Sequence, residues 1–115
     1  VSARSLAIAE RGVRNLLIHF DLLDGEAEPA ESVMLDMPDE DCYLCSESDG
    51  LLEMCKDLGE TVQRGERVAR VHDARRTGVA PVEYRAPRGG LISARHFPGR
   101  VQSGDTLAVI AQVVL

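Results

Sequence analysis

Three cysteines, three histidines, a single lysine and a pair of adjacent arginines are the residues here whose types and spacing could do chemistry. Cys42-Tyr-Leu-Cys45 is a C-x-x-C, the spacing of half a zinc site or of a redox pair. A zinc site needs two more ligands. No second C-x-x-C exists, which leaves Cys55, His19, His72 and His96 to complete it. On an extended strand, residues three apart point to opposite faces. The pattern therefore favours strand cysteines acting as small apolar side chains. None of the histidines begins H-x-x-E: the residue three positions on is Leu22, Arg75 or Gly99. H-E-x-x-H, G-x-S-x-G and a phosphate loop are also missing, so no catalytic, cofactor or metal residue is assigned within the chain.

Arg75-Arg76-Thr-Gly78 reads as a solvated loop, or as a charged lip that meets an anionic substrate or a neighbouring domain. A guanidinium suits either a carboxylate or another domain's acids. Tyr84, in the run Pro-Val-Glu-Tyr-Arg-Ala-Pro, reads as a packed strand tyrosine or as a residue of the same lip. Arg75, Arg76 and Tyr84 are the candidate contacts.

The elements that must position these residues begin with an amphipathic helix over 2–23. Leu6, Ala9, Val13, Leu16, Leu17 and Phe20 recur at helical spacing. Ser2 is the expected N-cap and Asp24-Gly25 the expected stop. Residues 25–41 are acidic, are broken by Pro29 and Pro38, and read as a linker with a short strand near 32–36. From Cys42 onward Gly and Pro divide the chain into strands near 42–47, 50–56, 66–72, 81–86, 90–96 and 105–114.

Those strands contain a repeat. Gly50-LLEMCKDL-Gly59-ETVQR-Gly65-ERVARV is followed by Gly90-LISARHFP-Gly99-RVQS-Gly104-DTLAVI. Val62 aligns with Val101, Gly65 with Gly104, Glu66 with Asp105 and Val71 with Ile110. Gly59, Gly99, Gly65 and Gly104 are expected at turns, with positive φ at the first pair. Val62 and Val101 are expected to plug the core, and the acids after the second glycines to bond local amides. The repeat resembles the barrel-sandwich hybrid fold of biotinyl and lipoyl domains. Carriers of that fold attach their group to a lysine in the hairpin between the copies. Here that hairpin, His72–Tyr84, has none, and the one lysine, Lys56, lies inside the first copy.

Composition narrows the partners. With 44% apolar residues, no Trp and four Phe plus Tyr, 115 residues can bury one aliphatic core. A net charge of −6 argues against a nucleic-acid backbone as partner. No run of 18 apolar residues spans a membrane. An odd cysteine count with no visible secretory signal points to the cytoplasm. A start at Val1 rather than Met reads as a piece of a longer or processed chain.

Together the segments Ala7-IAERGVRNLLIHFDLL-Asp24, Glu47-SDGLLEMCKDLGETVQRGERVARVHD and Val82-EYRAPRGGLISARHFPGRVQSGDTLAVIA resemble the end of succinylglutamate desuccinylase/aspartoacylase family proteins. Within that family the Ser-Ala-Arg-Ser start and the Asp-Met-Pro segment look most like the N-acetyl-diaminobutyrate deacetylase branch. The resemblance implies that residues 1–24 are the last helix of a preceding catalytic domain, 25–41 a linker and 42–115 a mainly β, barrel-sandwich domain. It implies a zinc hydrolase acting on the amide of a small N-acyl amino acid. Its H-x-x-E pair, later histidine and catalytic glutamate map onto no residue here. The zinc and the activity would belong to the parent protein, this chain being its non-catalytic part. The expected partners are the upstream catalytic domain and a second copy of the protein. The alternative is a free-standing barrel-sandwich binding or adaptor module.

Overall fold

Ser2 opens the first element as expected. Its side chain accepts from Ser5 N at 3.1 Å while Ser5 Oγ bonds the Ser2 backbone in return, a capping box that satisfies two otherwise orphaned helix-end groups. The computed structural model describes residues 2–114; Val1 and Leu115, the outer ends of the 1–24 and 42–115 segments, lie outside them. Helix α1 runs over Ala3–His19 and stops five residues short of the expected Asp24-Gly25. The reason is Asp21, which takes the left-handed conformation at φ 56°. Asp21 N then donates to Ile18 O at 3.1 Å and Leu22 N to Leu17 O at 2.8 Å. These are the paired bonds of a Schellman ending, here with Asp in glycine's usual place. Beyond it, the Asn15 amide brackets the backbone of Glu28, donating to its oxygen and accepting from its nitrogen, both at 2.9 Å. No residue of α1 is buried, and its stripe of Leu6, Val13, Leu16, Leu17 and Phe20 is exposed.

The chain divides into two compact units, 1–32 and 33–115. Residues 33–41 of the acidic segment thus fall with the β unit, because the expected short strand forms as β1, Met34–Asp36.

The β unit holds two antiparallel sheets. Its other strands are β2 (Tyr43–Cys45), β3 (Gly50–Met54), β4 (Thr61–Val62), β5 (Arg67–His72), β6 (Val82–Arg85), β7 (Gly90–Arg95), β8 (Arg100–Val101) and β9 (Thr106–Val114). One sheet has the order β1-β9-β7-β4, with β2 also on β9; the other has the order β6-β5-β3-β8. Among the described residues the fold is therefore mainly β with one α-helix, as the sequence implied.

The repeat explains this order. Gly50 of β3 faces Val101 of β8, and Gly90 of β7 faces Val62 of β4. Leu44 of β2 faces Ala108, and Tyr84 of β6 faces Ala69. Each sheet thus takes its two central strands from one copy and flanking strands from the other. The exchange lets each copy cover the apolar face of its twin. Val62, Val68, Val71, Ile92, Val101, Leu107 and Ile110 fill the space between the sheets. Full burial of such a side chain is worth about 1.5–3 kcal/mol.

The turns repeat as well. Gly65 (φ 84°) and Gly104 (φ 95°) occupy the conformation that glycine alone adopts freely. Glu66 then accepts from Gln63 N at 2.9 Å and Asp105 from Gln102 N at 2.8 Å, as expected of the acids. Gly99 departs from expectation. Gly59 has φ 85°, but Gly99 is not in the positive-φ region, because the second copy is one residue shorter there.

Candidate functional site

The hairpin that joins the copies carries Arg75 and Arg76 at its exposed tip, after the end of β5. Asp73 shapes this tip. Its carboxylate accepts from Arg75 N at 2.8 Å and from Arg76 Nε at 2.9 Å. The amide of Arg75 and then the Arg76 guanidinium hold the Asp73 carboxyl below its ordinary range. Arg76 is thus committed to Asp73. The Arg75 side chain forms no salt bridge among the described residues.

Arg75 lines an open cleft of ≈350 Å³ with Asp49, Gly50, Leu51, Asp73 and Arg100. Arg100 reaches it through strand pairing: β8 lies against β3 with Arg100 opposite Leu51. Asp49 is engaged, accepting from Ser103 N at 2.9 Å. The Arg100 guanidinium, like that of Arg75, has no salt-bridge partner among the described residues. Sequence reasoning missed Arg100, which lies 25 positions from Arg75. The available signal was the repeat, where Arg100 aligns with Thr61 and so departs from the pattern.

Tyr84 is held apart from the arginines. It is buried at 7% exposure, and its hydroxyl meets Glu47 N at 3.0 Å, Ser48 Oγ at 2.9 Å and Ser46 Oγ at 3.3 Å. Burial alone would push this phenol up, but the hydrogen bonds from Ser46, Ser48 and the Glu47 amide together outweigh it and hold it below its ordinary value. The tyrosine therefore fastens the 46–48 turn, which precedes the cleft residues Asp49 and Gly50.

Charged side chains on β3, β5 and β6 pair across the strands, and in one case along β6. Glu53 bridges His72 at 2.7 Å and Arg70 at 2.8 Å, and Glu83 bridges Arg67 and Arg85, both at 2.6 Å. The His72 hydrogen bond, ahead of Arg70, keeps the Glu53 carboxyl below its ordinary value; Arg67 and then Arg85 do the same for Glu83. Such exposed pairs contribute little each and set register rather than chemistry.

Cys42 is fully buried in a 3-10 turn over Glu40–Cys42, whereas Cys45 is exposed on β2 beside Thr106. Arg88 Nη1 lies 3.3 Å from Cys42 Sγ and 3.0 Å from Asp39 Oδ1. Arg88 also reaches Gln112 at 3.2 Å, tying the turn to β9. The histidines are dispersed: His19 lies on α1 beside Phe20, His72 pairs with Glu53, and His96 bonds Arg100 O at 3.2 Å. Among the described residues no group of three or more His, Cys, Asp or Glu could hold a metal ion. The residues present do not fit the zinc that the family resemblance implies.

A second, apolar groove of ≈400 Å³ runs beside Tyr43, Phe97 and Val109, with Phe97 85% exposed. Among the described residues no helix is long and apolar enough to cross a membrane.

No family model matches the chain. It is similar to the N-alpha-acetyl-L-2,4-diaminobutyric acid deacetylase of Halomonas elongata, with 54% identity over 112 residues, covering 96% of this chain and 33% of that protein. It is similar to the product-bound ectoine utilization protein EutE of Ruegeria pomeroyi: TM-score 0.85, 55% identity, 96% of this chain and 34% of that one. It is also similar to a succinylglutamate desuccinylase from a Silicibacter species: TM-score 0.84, 60% identity, 99% of this chain and 35% of that one. The chain spans about a third of the length of the curated relative it matches. Its resemblance to N-acetyl-diaminobutyrate deacetylase and to the succinylglutamate desuccinylase/aspartoacylase family, read from the sequence, is shown.

Proposed function

We propose that these residues are the non-catalytic C-terminal part of a zinc-dependent deacylase that hydrolyses the amide of an N-acyl amino acid, with N-α-acetyl-2,4-diaminobutyrate as the first substrate to try. The observation that carries the reading is 54–60% identity to deacylases of this family over nearly the whole of this chain but only a third of theirs. The exposed stripe of α1 supports a partner in the rest of the protein. Leu6, Val13, Leu16 and Phe20 are each more than half exposed, a surface that invites burial against other elements. In this reading α1 is the last helix of the catalytic domain, 25–41 connects the domains, and 42–115 is a barrel-sandwich domain docked beside the active-site mouth. The groove at Tyr43 and Phe97 supports docking, since it offers apolar surface to another domain.

Zinc bound in the catalytic domain would supply an activated water and polarise the amide carbonyl. This chain's own residues would shape the mouth, with Arg75 and Arg76 as its charged lip, and would contribute to homo-oligomer contacts. The protein would work in the cytoplasm.

Sequencing the reading frame upstream of Val1 tests the reading. An in-frame H-x-x-E with a later histidine, over a few hundred residues, is expected. A frame that opens just before Val1 would sink it in favour of a free-standing binding module. In the whole protein, deletion of 42–115 should change substrate selectivity or oligomer size; if both were untouched, the role at the mouth and in assembly would fall.

A further inference from the structure

The pseudo-symmetry of the β unit separates what the fold requires from what it does not. Gly50 and Gly90 occupy equivalent places. A Cβ on Gly50 would meet His72 O, and one on Gly90 would meet Ala111 O. Leu51 faces His72 and Arg100, and Leu91 correspondingly faces Ala111 and Thr61. The same framework of one glycine, one leucine and two flanking strands is thus built twice. Only at the first site do two arginines stand beside it. Arg100 stands where the second site has Thr61, and Arg75 comes from the hairpin after β5, where the copies cease to correspond because β9 runs on as strand to Val114. The fold is satisfied by Thr at this register position, so the Arg100 guanidinium answers to something other than packing.

The cleft they line has the makings of an anion site. Neither guanidinium has a salt-bridge partner among the described residues, while the nearby carboxylates are engaged by Ser103 N, Arg75 N and Arg76. The floor is Gly50, where the backbone comes closest, and one wall is the half-exposed Leu51. We propose that this cleft binds a small organic carboxylate, its oxygens held by Arg75 and Arg100 and its apolar portion resting on Leu51. A guanidinium presents paired N–H donors that match a carboxylate's two oxygens, and a leucine beside them distinguishes an organic acid from inorganic phosphate.

The inference shares Arg75 with the lip of the deacylase reading but does not rest on it, since a protein that hydrolyses no amide would still show it. The test is an amide-resolved NMR titration of the 115-residue chain with N-acetylglycine, with its carboxamide N-acetylglycinamide, and with inorganic phosphate. The expected result is saturable shifts at Gly50, Leu51 and Ala74 with N-acetylglycine alone. Arg75→Gln or Arg100→Gln should each weaken that binding about fivefold or more. Arg64→Gln, an exposed arginine outside the cleft, should leave it unchanged. Non-saturating shifts to about 10 mM, roughly tenfold beyond a millimolar Kd, would overturn the proposal. So would equal response to phosphate, or binding that survives both cleft variants.

Discussion

The interleaved sheets depend on two glycines at which the strands come closer than a side chain allows, and one substitution series tests this. A Cβ at Gly50 would sit 2.2 Å from His72 O and 2.8 Å from Val71 Cγ1, and both are parts of β5 that cannot swing away. At Gly90 the corresponding distances are 2.5 Å to Ala111 O and 2.9 Å to Ile110 Cγ2. Relief requires β3 to move off β5, or β7 off β9, which strains the pairing at Leu51–His72 or Leu91–Ala111. Overpacking of a core costs about 1–3 kcal/mol, and backbone contacts place these sites at the upper end, so ~3 kcal/mol is expected for Gly50→Ala and slightly less for Gly90→Ala. Gly59→Ala meets no atom within 4 Å but must hold φ near 85°, costing about 1–2 kcal/mol. Gly99→Ala meets no atom and needs no positive φ, so it should be neutral or stabilise by about 0.5 kcal/mol. Urea midpoints at constant m rank the four variants. A Gly50→Ala variant as stable as Gly99→Ala would refute the close-approach argument.

Further outcomes follow from single contacts. Tyr84→Phe removes a buried hydroxyl with three neighbours and takes the acceptor from Glu47 N, so a loss of about 1–2 kcal/mol is expected in the same urea assay; an unchanged midpoint would mean the 46–48 turn is held by other bonds. In the native chain a thiol reagent should modify Cys45 rapidly and Cys42 only on unfolding, because one is exposed and the other fully buried; equal rates would contradict the placement of the turn at Glu40–Cys42. Glu53 is held below its ordinary 4.5 by His72 and Arg70, so its contribution is present above that value and lost as pH falls through the folded one. The stability difference between wild type and Glu53→Gln should therefore shrink below pH 4.5, and a difference constant from pH 6 to pH 3 would count against the pairing.

The β unit was legible where chemistry forces a residue type. Gly65 and Gly104 need left-handed backbone, and the acid after each reaches back to an amide, so both turns were visible as a repeat. What escaped was held by backbone alone. Strands β4 and β8 are two residues each, too short for any periodicity to register. The equivalence of Ser46 and Ala86 is invisible in side chains, yet Ser46 N donates to Asp105 O and Ala86 N to Glu66 O, both at 2.8 Å. The helix ended early because aspartate, not glycine, took the left-handed position at Asp21. Arg75 was legible as a hairpin residue, but its neighbour Arg100 was not, since the two share a cleft only through the register of β8 on β3.

The most direct test compares amide hydrolysis by the protein expressed from its whole reading frame with that by the 115-residue chain alone. Release of acetate from N-α-acetyl-2,4-diaminobutyrate would be followed with and without a zinc chelator. The account predicts chelator-sensitive hydrolysis by the whole protein and none by the chain. Turnover by the isolated chain, or a whole protein that hydrolyses no N-acyl amino acid, would contradict it.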